Sequence, residues 1–215
     1  MQNHHSAAMQ HVRCYDSHAL YRRENDVIDT QVKSWYDAFS RERQRQTAVD
    51  RSGALVMRDD EELDFIVDLI HNHYRTRYAA ISIIDGQSQV ILVQRGLDTA
   101  SIPRRAAFCA VTIQHAGQPL IVPDTRIGPR FRDLDSVTAD PFIRFYAGMP
   151  INDAAGMSLG AICVADTKAH TVTFDQRLLV MMARETERVL ASDKPDRQAP
   201  FVRDRQDRFP IAIPL

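Results

Sequence analysis

The sequence predicts an α+β domain: a central antiparallel β-sheet with helices on both faces, extended by an N-terminal helix and a C-terminal tail. Three observations predict it. The stretch DPFIRFYAGMPI, residues 140–151, alternates, with Ile143, Phe145, Ala147, Met149 and Ile151 on one side of an extended chain and Arg144, Tyr146, Gly148 and Pro150 on the other. Two pairs of strand-like segments, 79–85 with 89–96 and 143–151 with 158–166, are each joined by a short turn, which makes hairpins. Helical patterns before, between and after these pairs exclude an all-β fold.

The elements follow in order. Residues 1–18 are polar and rich in histidine, and read as a loose tail. Over 19–47, Ile28, Val32, Trp35 and Phe39 recur at spacings of four, three and four, a narrow apolar stripe on a charged helix. Such a stripe suits pairing with another helix better than burial in a core. A second helix runs through DDEELDFIVDLIHNHYRTRY; Asp59 and Glu62 have capping-box spacing, and Leu63, Ile66, Val67, Ile70 and Tyr74 line one face. The hairpin 79–96 turns at Gly86-Gln87-Ser88. Pro103 then opens a helix that Gly117 closes. LIVPD, 120–124, is a short strand, and 126–140 is a loop with one helical turn. The hairpin 143–166 turns at Asn152-Asp153 with Gly156. Thr173 and Gln176 have a second capping-box spacing and start the helix 174–191. The chain thus divides into a tail (1–18), a charged helix (19–50), a sheet domain (51–191) and an unstructured proline-containing tail (192–215).

Composition limits the function. The 215 residues carry 27 lysines and arginines against 28 acidic residues, a formal charge of −1, so no global field draws the chain to nucleic acid or an anionic membrane. No stretch approaches the ~20 apolar residues of a membrane span. Three scattered cysteines (Cys14, Cys109 and Cys163) make no disulfide framework, and a cytoplasmic, reduced protein is expected. Phosphate-loop, Rossmann, nucleophile-elbow, kinase and basic helix-turn-helix signatures are missing from the sequence.

The motifs FCAVTI (108–113), PLIVPD (119–124), PRF (129–131), DPFIRFYAGMPI (140–151) and LGAICVAD (159–166), taken in order, carry a resemblance. From about Arg51 to Ala191 the chain resembles the GAF domain family of small-molecule sensor modules. The resemblance implies a sheet covered on one face by its first and last helices. A middle helix and loop would enclose a pocket on the other. On that implication the apolar side of 143–151 lies under the helices 59–76 and 174–191, and Arg144, Tyr146 and Gly148 look into the pocket. Both faces of a covered sheet are buried, so the two assignments could be exchanged. Cys109 is followed by Ala110, where bilin-binding members have cysteine then histidine, so no covalent bilin and no other cofactor is expected. The cyclic-nucleotide pattern of other members is not found, and Gly128 replaces the aspartate usual before the Pro-Arg-Phe motif.

The candidate ligand-binding residues are Arg144, Tyr146, Phe108, Cys109, Asp124 and Arg130. Arg144 and Arg130 could hold a carboxylate in paired hydrogen bonds; the plainer account is an ion pair with Asp124, Asp140 or Asp166. Tyr146 and Phe108 could form an aromatic wall, and equally could fill the core. Cys109 and Cys163 could meet across helix and strand as a redox pair. The plainer account is two small hydrophobes, since Cys163 is expected to share a face with Leu159 and Ala161. His11, Cys14 and His18 share one helical face at i, i+3 and i+7 but lack a fourth zinc ligand, so no metal site is expected. His71 and His73, two apart on a helix, cannot chelate together.

The expected function is a non-enzymatic sensor of a small molecule or of redox state, working in bacterial signal transduction as a homodimer through a downstream signalling protein. Two alternatives stand beside it: a thiol enzyme of the methionine sulfoxide reductase kind using Cys109 and Cys163, and a ligand-free interaction module.

Overall fold

The structure, a computed structural model, describes residues 17–115, 117–170 and 173–192, with side chains from residue 30 onward. Apart from the backbone of residues 17 and 18 and Ser192, the expected tails lie outside the described residues. The chain divides into two compact units, Met1–Glu42 and Arg43–Leu215.

The first unit contains most of helix α1 (Ser17–Ser52). Its stripe is exposed: Val32, Trp35, Tyr36 and Phe39 present 58, 66, 64 and 47% of their surface. The Trp35 and Phe39 rings, one turn apart, stack at 5.5 Å.

The second unit is a six-stranded, wholly antiparallel sheet of order β3-β2-β1-β6-β5-β4. Its strands are β1 (Tyr78–Asp85), β2 (Ser88–Arg95), β3 (Ser101–Pro103), β4 (Leu120–Val122), β5 (Phe145–Asn152) and β6 (Ser158–Asp166). Helices α2 (Glu61–Tyr74) and α5 (Arg177–Ala191) cover one face. Their Leu63, Ile66, Val67, Ile70, Leu179, Ala183 and Val189 pack on Phe145, Ala147, Met149 and Ile151. The other face is covered by the short α3 (Phe108–Thr112) and by the loop holding α4 (Asp135–Thr138). Both expected hairpins are present, and the apolar side of β5 lies under the two long helices.

The elements depart from expectation in detail, and each departure has a physical cause. Helix α2 is capped one residue later than its spacing suggests. Asp60 Oδ1 accepts the amides of Glu62 and Leu63, while Asp59 has a positive φ of 58° and lies outside the helix. Pro103 does not open a long helix. It ends β3, an edge strand on β2 that tolerates proline because its outer side needs no donor, and a 3-10 turn at Arg104–Ala106 precedes the five-residue α3. Thr173 does not cap α5. The Tyr74 hydroxyl, 105 residues from Leu179 in sequence, accepts the Leu179 amide at 3.0 Å and donates to the Asp175 carbonyl at 2.9 Å. Ile143 leaves the face of Phe145 and joins the opposite cluster, because Phe142, with a φ of 57°, breaks the alternation before the strand begins. Leu159 likewise sits on the α2/α5 face while Ala161 and Cys163 sit on the other, after a register irregularity at Ile151/Asn152.

Candidate functional site

Strands β1, β6 and β5 present Ser82, Cys163 and Tyr146 to the α3 face, and α3 lays Phe108, Cys109 and Thr112 over them. Period-two alternation on the strands and the single turn of α3 bring these groups together from four separate segments.

Tyr146 is the centre. It is 2% exposed, and its ring stacks on Phe108 at 4.9 Å, which stacks on Phe131 at 5.1 Å. Its hydroxyl lies 2.6 Å from Thr112 Oγ1 and reaches Cys109 Sγ at 3.5 Å. The ring lies back over Gly148, two residues on along the same strand face. A Cβ at position 148 would collide with the Tyr146 hydroxyl and stand 3.0 Å from Thr112 Oγ1. Glycine is thus required so that Tyr146 fills the face expected to border a hollow.

Cys109 and Cys163 are free thiols, 1% and 8% exposed, with their sulfurs 3.7 Å apart. The thiols differ. The Cys163 S–H, first, then Ser82 and the Tyr146 hydroxyl hold the Cys109 pKa down to about 7 against the opposing effect of burial. Cys163 is pushed well above the ordinary thiol value by its contact with Cys109 and by burial. Burial, first, and then the adjoining thiols raise Tyr146, so its phenol stays protonated and remains a donor.

The remaining candidates are not gathered here. Arg144 is half-buried, and its Nη1 donates to the carbonyls of Val137 at 2.7 Å and Ile143 at 3.0 Å, pinning the α4 loop to the start of β5. Asp124 accepts two-pronged hydrogen bonds from Arg126, with Nη2–Oδ2 at 2.6 Å, which hold its pKa down at about 2. Arg130 is exposed and donates to Gln114 Oε1 at 2.8 Å. Of the six, Phe108, Cys109 and Tyr146 form one cluster, while Asp124, Arg130 and Arg144 serve the loops around it.

Sequence reasoning passed over Ser82 and Thr112. Both are 0% exposed, and Ser82 Oγ is a buried oxygen without a hydrogen-bond partner among the described residues. The signal available was a serine inside the otherwise apolar strand AAISIID. No cluster of three or more metal-ligating side chains is found among the described residues, and the side chains of His11, Cys14 and His18 lie outside them. Among the described residues no helix is long and apolar enough to cross a membrane.

An antiparallel sheet with two long helices on one face and a short central helix on the other is the architecture of the second unit. The GAF domain family model matches residues 41–190, and the chain belongs to that family. It is similar to a cyclic di-GMP phosphodiesterase of Pseudomonas aeruginosa, 42% identical over 125 residues, which is 58% of this chain and 21% of that protein. The chain therefore spans about a fifth of the length of that relative. Among solved structures it is similar to the free methionine-R-sulfoxide reductase of Neisseria meningitidis in complex with its substrate (TM-score 0.50, 15% identity, 69% of this chain and 86% of the other). It is also similar to the GAF domain of an Acinetobacter phosphoenolpyruvate-protein phosphotransferase (TM-score 0.50, 13% identity, 69% and 93%). At these identities both likenesses are likenesses of fold.

Proposed function

We propose that the chain is a sensory input module that reports through helix association to a partner acting in cyclic di-GMP signalling. The observation that carries this reading is the exposed stripe of α1. Val32 and Phe39 are seven residues apart with Trp35 between them, the a and d spacing of a two-helix seam, and all three are at least 47% exposed. A second copy of α1 is the occupant that matches this spacing. The likeness to a cyclic di-GMP phosphodiesterase supports the class of output.

The enclosure of Cys109 and Cys163 favours sensing over a thiol enzyme, since free methionine sulfoxide needs a substrate-sized opening beside the reacting sulfur. The filled space at Tyr146 also favours an input that does not require a bound metabolite.

The test is the solution mass of the full chain by light scattering, beside Trp35→Glu and Phe39→Glu. A dimeric parent and monomeric variants of unchanged fold are expected. A monomeric parent, or variants that stay dimeric, refutes the association. In a Pseudomonas host, expressing the parent is expected to shift cellular cyclic di-GMP, and expressing a variant carrying both Trp35→Glu and Phe39→Glu is not. Equal levels with both refute the link to that output.

A further inference from the structure

The α3 face of the sheet is largely apolar, with one gathering of buried polar groups and thiols beneath α3. There Ser82, Cys109, Thr112, Tyr146 and Cys163 meet, each at least nine-tenths buried. Cys163 sits opposite Ala80 on β1 and Gly148 on β5. Ser82 lies close enough to Cys109 to lower its pKa, yet its oxygen makes no hydrogen bond among the described residues. A core built for packing alone would place alanine or valine here, because a buried hydroxyl without a partner costs stability and returns nothing. A hydroxyl held beside a sulfur that becomes charged is not wasted. It stabilises the anion when the anion forms.

We infer that Cys109 and Cys163 form a reversible dithiol–disulfide pair, oxidised by hydrogen peroxide, and that this pair supplies the input of the module. The inference rests on the sensory reading above for its consequence but not for its chemistry. The Cys109 thiolate attacks one oxygen of the peroxide. An S–O bond forms, the O–O bond breaks, and the departing hydroxide takes up the proton lost by Cys109 to give water. The Cys163 sulfur then attacks the Cys109 sulfenic sulfur. The S–S bond forms, the S–O bond breaks, and the second hydroxide leaves as water with the Cys163 proton. Two thiols and one peroxide become one disulfide and two waters, with two electrons passing from sulfur to oxygen. A dithiol reductant reverses it.

The division of labour is set by position. Cys109 accepts from the Tyr146 hydroxyl, lies beside Cys163 and Ser82, and is the attacking sulfur, while Cys163 keeps its proton and resolves. The enclosure selects the oxidant, since hydrogen peroxide is small and neutral while aromatic and glutathione disulfides are not. The 3.7 Å between sulfurs must close to about 2.05 Å. Strand β6 is held between β1 and β5 by ladders on both sides, so the movement falls on the five-residue α3. Tyr146 then loses Cys109 as an acceptor, and the Phe108–Tyr146 stack is drawn with the helix.

The experiment uses the full chain with Cys14→Ser, reduced and then exposed to hydrogen peroxide. Expected is an intact mass lower by two hydrogens, a linked peptide pair containing Cys109 and Cys163, and return to the starting mass with dithiothreitol. Cys163→Ala is expected to accumulate a dimedone-reactive sulfenic acid at Cys109, and Cys109→Ala to react at least about tenfold more slowly. The folded protein is expected to resist an aromatic disulfide that reacts at once after denaturation. Tyr146→Phe keeps the ring and is expected to slow oxidation severalfold and move its half-point upward from about pH 7, whether or not the alanine variants fold. The inference is overturned by a folded parent that forms no linked pair, or by Cys109→Ala oxidising at the parent rate. A linked pair that leaves α1 association unchanged overturns the sensory reading instead.

Discussion

Gly148→Ala tests how tightly the α3 face is filled. The backbone there is ordinary extended strand, so alanine suffers no φ strain, and a glycine-to-alanine change alone would stabilise the fold by about 0.4–1 kcal/mol through the unfolded chain. The new Cβ, however, collides with the Tyr146 hydroxyl, lies 2.7 Å from Cζ and 3.0 Å from Thr112 Oγ1. Neither neighbour can yield easily. Tyr146 is clamped between the Phe108 ring and its own strand, and Thr112 lies at the end of α3, bonded at 3.3 Å to the Phe108 carbonyl. Overpacking a close-packed core costs about 1–3 kcal/mol, so the net loss is about 1–2 kcal/mol, which corresponds to a Tm lower by about 2–8 °C for a domain of this size. Urea unfolding of parent and variant measures it. The same change made with Tyr146→Phe should cost less, because the nearest clashing atom is gone. A Gly148→Ala protein as stable as the parent, or a loss that Tyr146→Phe does not reduce, refutes the filled-face account.

Three further outcomes are expected. Asp60→Ala removes the side-chain cap of α2 and should destabilise by about 1 kcal/mol in chemical unfolding, whereas Asp59→Ala should cost less because its side chain caps nothing in the helix. Arg45, 7% exposed, donates from Nη1 to the Ile84 carbonyl at 2.8 Å, and Arg45→Ala should lower stability by about 1.5–3 kcal/mol in the same assay. Arg95 forks onto Asp64 at 2.8–2.9 Å and touches Asp68 at 2.6 Å, and its hydrogen bonds hold the Asp64 pKa below the usual carboxylate value. A lowered carboxylate contributes stability that is present above its ordinary pKa and lost as pH falls through the lowered one. With side chains 29% and 43% exposed the contribution is under about 1 kcal/mol, and the stability gap between parent and Arg95→Gln should close on acidification.

The sequence determined what depends on neighbours in the chain. Alternation at 145–151 fixed the strand and its apolar side, turn residues between like-patterned segments fixed both hairpins, and the motif order fixed the family, because each of these is a periodicity or a short spacing. Tertiary structure decided what depends on groups far apart. Tyr74 caps α5 across 105 residues, a partnership no local capping pattern contains. Cys109 and Cys163 meet across 54 residues only because α3 crosses β6, and neither the value of Ser82 nor the filling of Gly148 by Tyr146 has meaning until the sheet is assembled. Arg144 illustrates the limit. It stands one residue before β5, and its guanidinium is taken up by the Val137 and Ile143 carbonyls, partners that the alternation of the strand does not specify. Side-chain direction within a regular element follows from its period, whereas contact between elements follows from how the buried faces close on one another.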